Sequence, residues 1–181
     1  MKKLLFLASF SVLLYTAQAQ VYVGKTVGVD FYSHTPVEDI KAKTKVMTSV
    51  IDFGSNTFTF KIPVKTFDFP NDLMEEHFNE NYLESAKYPN ATFNGKMVSA
   101  SKVDVTKDGT YTVMAEGTLD IHGVKQERKI TATLTVKDGK VKIDAKFNVH
   151  LADHKVDVPT IVMSKIAEDI AVTVVVNLEK H

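Results

Sequence analysis

Apolar and polar residues alternate one for one along most of this chain. Phe58, Phe60, Ile62 and Val64 are separated by Thr59, Lys61 and Pro63. Tyr111, Val113, Ala115, Gly117, Leu119 and Ile121 repeat the pattern, as do Ile130, Ala132, Leu134 and Val136. So do Val141, Ile143, Ala145, Phe147 and Val149, and finally Ile170, Val172, Val174, Val176 and Leu178. A period of two puts each set on one face of an extended strand and the Thr, Lys, Glu and Asp between them on the other. That is how an antiparallel sheet with one wet face is written. Asp108-Gly109 and Asp138-Gly139 sit beside such runs and predict tight hairpin turns. Weaker alternation predicts earlier strands over about 21–33, 37–45 and 50–53.

One segment departs from the period. Asn71 or Asp72 stands in a capping position, Glu75 and Glu76 suit a first turn, and Met74, Phe78 and Tyr82 follow at helical spacing. Together they predict a helix running to Glu80. A second short turn or helix is expected within Thr160 to Glu168. The alternating runs are about ten residues long, above the usual strand length of about five or six. Long antiparallel strands with a polar outer face are most simply closed into a barrel, which leaves no edge. The expected fold is therefore mainly β: an antiparallel β-barrel of about eight strands with one or two short helices. Strands of about eleven residues, tilted by about 40°, give a barrel roughly 28 Å tall. Its interior suits either packed side chains or one small ligand, and alternation alone leaves both open.

Composition narrows the classes. Met1-Lys2-Lys3, the apolar run Leu4 to Tyr15 and the small-residue site Ala17-Gln18-Ala19 form an expected signal peptide, cleaved after Ala19. Removing 19 of 181 residues leaves 162, read as one domain over 20–181 with no linker or internal repeat. Two of the 22 basic residues lie in that leader and none of the 22 acids does, so the mature charge is −2. Arg128 is the lone arginine. This balance argues against a nucleic-acid partner. After the leader no stretch approaches the ~20 apolar residues of a membrane span. With no cysteine there is no disulfide framework, thiolate zinc site or thiol nucleophile, and no usual acceptor for a lipid anchor after the leader. An exported, soluble chain is expected.

Candidate chemistry is sparse. His150, Asp153, His154 and Asp157 offer metal-ligand types, yet they meet no recognised spacing and straddle a strand end and a loop. They are read as a solvated or hydrogen-bonded cluster, with no metal. His122 precedes Gly123 at a turn and, lacking an evident paired acid, is read as a hydrogen-bonding residue rather than a general base. Glu75 and Glu76 diverge around the helix and are read as solvated. P-loop, nucleophile-elbow and zinc-protease motifs are missing, and no catalytic residue is assigned.

Four stretches carry a family resemblance. Asp72-Leu-Met-Glu-Glu-His-Phe-Asn-Glu-Asn-Tyr-Leu-Glu-Ser-Ala-Lys-Tyr-Pro-Asn-Ala-Thr-Phe-Asn-Gly95 resembles the middle of the YceI-like family. Gly117-Thr-Leu-Asp-Ile-His-Gly-Val124 is similar to its strand and glycine turn. Phe147-Asn-Val-His-Leu-Ala-Asp153, leading to Val158-Pro159, resembles its penultimate strand and loop. The closing region from Lys165 to Leu178 resembles its last strand. The likeness spans nearly the whole mature chain in order. It implies a lipocalin-like barrel, exported to the periplasm, that holds a polyisoprenoid or similar long-chain amphiphilic lipid, with no enzymatic activity and no cofactor. The chain departs from the broad pattern in its first strands and at Phe67-Asp-Phe-Pro-Asn-Asp72, where many members carry an Arg-Asp pair. In the bacterium so implied, the glycosylation match Asn90-Ala-Thr92 is read as accidental.

The implied mechanism is solvation of an oily tail. Phe58, Phe60, Phe93, Tyr111, Val113, Phe147 and Val174 are expected to face inward as ligand contacts. Phe67, Phe69, Met74, Phe78 and Tyr82 are expected to form a lid, methionine adapting to irregular shapes. The plainer reading has these side chains packing on one another as ordinary core. Two other function classes are kept: a periplasmic stress or interaction protein with a filled barrel, and, less favoured, a lipid-modifying enzyme. A homodimer is left open.

Overall fold

The computed structural model describes residues 20–98 and 103–181; the expected leader, residues 1–19, lies outside them. Among the described residues nine strands alternate faces as the sequence pattern requires. They are β1 (Val21–His34), β2 (Asp39–Thr44), β3 (Thr48–Asp52), β4 (Thr57–Pro63), β5 (Asn90–Val98), β6 (Gly109–Ile121), β7 (Val124–Lys137), β8 (Lys140–His150) and β9 (Asp169–Lys180). They form one antiparallel sheet in the order β2-β1-β3-β4-β5-β6-β7-β8-β9, and β1 also pairs with β9. That last pairing closes a barrel, so the ladder's backbone groups are satisfied around the ring.

The barrel has eight strand positions because β2 and β3 share one. Val29 faces Thr44 and Val23 faces Val50, so register along β1 runs unshifted across the break at 45–47. Against β9, β1 carries a bulge between Gly24 and Thr26. Its inward residues change from Tyr22 to Val27, Val29, Phe31 and Ser33, which reverses parity. The shared position changes with it, from Ile51 and Ser49 to Thr44 and Ala42. Two Asx-Gly signals had different fates. Asp138-Gly139, at φ 50° and 72°, is the expected tight turn between β7 and β8. Asp108-Gly109 is not a hairpin turn: Gly109 opens β6, and the Asp108 carboxylate accepts from the Asp138 N–H at 3.0 Å. The other tight turn is His122-Gly123, at φ 55° and 71°, joining β6 to β7.

One end of the barrel is solid. Cross-strand neighbours Leu134, Ile143 and Val176, then Val136, Val141 and Leu178, form two inward layers. Every one of those six side chains is 5% exposed or less. Tyr22 meets Phe53 edge to face at 5.3 Å beside them. Val103 and Val105, from the loop before β6, join the same core. The Tyr111 hydroxyl donates to the Asp104 carbonyl at 3.2 Å, tying that loop to the floor.

The other end is covered by the one α-helix among the described residues. Asn71 caps α1 (Asp72–His77), accepting from the Leu73 and Met74 N–H groups at 3.0 and 3.2 Å. The segment then continues as a π turn, Phe78–Tyr82, slightly past the expected end at Glu80. Glu75 is not merely solvated, since its carboxylate accepts from the Phe69 N–H at 3.3 Å; Glu76 is exposed. The expected second turn is a short 3-10 segment, Thr160–Val162.

Candidate functional site

Between floor and helix lies a cavity of about 520 Å³. Its existence follows from the layer above the two solid ones, where Ala132 and Ala145 pair across β7 and β8 and Ala145 pairs with Val174. Alanine there leaves the interior unfilled, so Val174 in that layer and Phe147 and Val172 in the next stay only partly buried. Phe60, Ile62, Phe93, Leu119 and Ile130 complete the wall opposite.

The roof is aromatic. Phe31 of β1 stands at 5.3, 5.7 and 5.5 Å from the rings of Phe67, Phe69 and Phe78. Phe69 and Phe78 are themselves 5.0 Å apart. Met74, Tyr82 and Leu83 extend this surface over the void. Beside β2 the wall is completed by a backbone pair between Lys43 and Asp68, at 2.8 and 3.1 Å, and by the Thr44 and Thr66 hydroxyls at 2.8 Å.

Polar lining groups gather at the lid end: Ser33, Glu38, Asn71, His77 and Lys165. Lys165 approaches Glu38 to 3.6 Å, linking the loop before β9 to the β1–β2 turn. The buried Ser33 hydroxyl accepts from the Ala167 N–H at 2.9 Å. The chamber is thus apolar along its depth and polar at its mouth, the arrangement that suits a molecule with an oily tail and a hydrated end.

Nine of the twelve residues singled out in the sequence line this chamber: Phe60, Phe67, Phe69, Met74, Phe78, Tyr82, Phe93, Phe147 and Val174. Phe58, Tyr111 and Val113 face the interior too, but below the void. Phe58 supports Phe93 at 4.9 Å, and Val113 is 2% exposed. Sequence reasoning missed Phe31, Ala132 and Ala145. Their positions follow the same period of two, but alternation shows which face a residue takes and not how far along the barrel it sits.

His122, His150 and His154 fall outside the chamber lining. His150 Nδ1 lies 3.1 Å from Asp169, whereas His154 is fully buried and its Nδ1 donates to the Val124 carbonyl at 3.0 Å. Among the described residues no group of three or more His, Asp or Glu is placed to hold a metal. His122 does have a paired acid, contrary to the sequence reading. Its Nε2 is 2.7 Å from the Glu84 carboxylate, and its Nδ1 is 3.2 Å from the His154 carbonyl. Glu84 follows the π turn, so this contact fastens the trailing end of the lid to the β6–β7 turn. The Tyr88 ring lies edge-on to His122 at 4.7 Å, and a Cβ on Gly123 would fall 2.5 Å from that ring. Only glycine fits there.

Fold and chamber together define a closed antiparallel barrel able to enclose one apolar molecule. The chain belongs to the YceI-like family: the model of the YceI-like domain matches residues 16–178. No curated protein matches it. A polyisoprenoid binding domain from Saccharophagus degradans, implicated in plant cell wall breakdown, superposes with a TM-score of 0.76 at 15% identity, over 91% of this chain and 100% of that one. Burkholderia cenocepacia BcnA gives 0.70 at 16% identity, over 83% and 95%. The Campylobacter jejuni YCEI protein gives 0.56 at 19% identity, over the full length of both. At these identities the likeness is one of fold. Among the described residues no helix is long and apolar enough to cross a membrane.

Proposed function

We propose that this protein is a lipid-binding barrel that holds the tail of a polyisoprenoid or similar long-chain amphiphile, as a carrier or reservoir. The single observation carrying this reading is the chamber itself, about 520 Å³ of apolar space whose charged lining is confined to the mouth. A solid barrel would use that space for side chains. Burying a tail there is worth about 0.8 kcal/mol per methylene, against roughly 4–15 kcal/mol for lost freedom on association. A tail well over ten carbons long is therefore needed for tight binding. The fold shared with a polyisoprenoid binding domain supports the same reading. The protein acts by binding rather than catalysis, and works in the periplasm after cleavage behind Ala19.

Solvent extraction of the purified protein followed by mass spectrometry tests the reading. About one amphiphile per chain is expected, and folded protein that neither carries lipid nor takes it up would refute it. Phe60→Asp and Phe147→Asp each place a carboxylate in the chamber wall and are expected to abolish retention while circular dichroism still shows a folded barrel. Export is checked by intact mass of the periplasmic protein, expected to begin at Gln20.

A further inference from the structure

The rim of the chamber's mouth is apolar on its outer side. Among the described residues seven large apolar side chains are exposed, and four of them belong to this rim: Val37, Leu73, Ile161 and Met163. Their chamber-lining neighbours bring them together. Leu73 itself lines the chamber while standing 57% exposed, Val37 precedes the lining Glu38, and Ile161 and Met163 flank the lining Val162. Lys165 approaches Glu38 to 3.6 Å, which joins the loop of Ile161 and Met163 to the turn of Val37. Of the other three, Val46 sits at the break between β2 and β3, and Val98 pairs with Met114 on the outer wall of β5 and β6. The loop is the most exposed part of the rim. From Val158 to Ser164, Val-Pro-Thr-Ile-Val-Met-Ser, no residue is charged, and Ile161 is 88% exposed. A single exposed apolar residue is ordinary, but a group of them around an opening marks an interaction surface.

We propose that this rim docks on the surface of a phospholipid bilayer, with Ile161 and Met163 entering the acyl boundary, so that cargo passes between membrane and chamber without crossing water. This role rests on the lipid-binding reading, which also favours a bilayer over a protein as the partner. A long-chain amphiphile resides in the bilayer, and each methylene drawn out into water slows its exit by about fourfold. An apolar rim that continues the apolar wall through Leu73 and Val162 removes that barrier. Charge decides the mode of attachment. Asp72 and Glu76 stand exposed on either side of Leu73, and Lys165 is engaged by Glu38. Docking therefore depends on apolar insertion rather than on attraction to anionic headgroups.

Two measurements on delipidated protein test the docking: sedimentation with sucrose-loaded phosphatidylcholine vesicles, and calorimetric titration with geranylgeraniol or palmitic acid delivered in cyclodextrin. The protein should partition onto the vesicles, and a rise in salt from about 0.1 M to about 0.5 M should change this by less than about twofold. Ile161→Ser combined with Met163→Ser should lower vesicle partitioning by about tenfold or more. The same pair should leave the affinity for the two delivered lipids within about twofold, since neither side chain lines the chamber. Val98→Ser combined with Met114→Ser, the exposed pair away from the rim, should alter neither measurement. Partitioning that is absent, or that survives the changes at Ile161 and Met163, overturns the docking, while uptake from cyclodextrin leaves lipid binding standing. A dimer that the same two changes dissociate, with no attachment to vesicles, also overturns it and makes the rim an interface with a second copy. Uptake of neither lipid from cyclodextrin overturns lipid binding itself, and the docking role with it.

Discussion

Phe31 joins the barrel to the lid. It touches three aromatic rings that arrive from the segment after β4 and from the π turn. Such pairs add about 0.5–1.5 kcal/mol each beyond the area they bury. Phe31→Ala is expected to lower unfolding stability by about 2–4 kcal/mol, measured by urea denaturation, and to speed amide exchange over residues 72–82. At the opposite end Asp104 organises the loop that plugs the floor. Hydrogen bonds from the Thr106 side chain and backbone, then the neighbouring Lys107, hold its carboxyl down from 3.8 to about 2. A depressed carboxylate contributes its stability fully above the ordinary value and loses it as pH falls through the folded one. Asp104→Asn should therefore remove a stability increment that is present at neutral pH and fades as pH falls toward and through about 2, where a carboxyl-carbon NMR titration should show Asp104 protonating.

At the scale of strands, the closest approach lies between β5 and β6, where Gly95 pairs with Gly117. A Cβ on Gly117 would stand 2.2 Å from the Asn94 carbonyl oxygen, and one on Gly95 would stand 2.0 Å from that of Glu116. Because both obstacles are backbone, neither can step aside. Gly117→Ala is expected to cost about 2–3 kcal/mol in thermal or urea unfolding, with the chamber-lining Phe93 and Leu119, two residues along, displaced with it. The strands from β6 to β9 were legible because their alternation is unbroken. The first three were placed within a few residues of their bounds, but their inward faces were not legible, since the bulge at Gly24 to Thr26 turns even-numbered inward residues into odd-numbered ones. Asp108-Gly109 misled for another reason: the propensity for turning was read correctly, but its carboxylate serves the neighbouring turn at Asp138. Glu84 was invisible as the partner of His122 because they meet only through folding, across 38 residues of sequence. Most of the lining aromatics, by contrast, were found in the sequence, with Phe31, beyond the bulge in β1, the one missed.

The whole molecule divides into a solid half and a hollow half, and on the lipid-binding reading the stability of the second depends on what fills it. A ligand that binds only the folded state adds about 2.7 kcal/mol at a hundred times its dissociation constant. For a domain of this size that corresponds to a rise in Tm of roughly 5–10 °C. Stripping the protein of lipid should lower its melting temperature by about that amount, and adding stearate back should restore it in a concentration-dependent way. A melting temperature indifferent to stearate would mean that the hollow half is not the site of uptake.

The seam between β1 and β9 brings the two ends of the described barrel together on its sealed side: Tyr22 pairs with Lys180, and the His181 N–H donates to the Val21 carbonyl at 2.9 Å. The chamber's mouth lies at the opposite pole. A bead, dye or partner domain grafted onto His181 therefore hangs from the base, and protein anchored that way to a sensor chip presents its opening to the solution, free to load and unload.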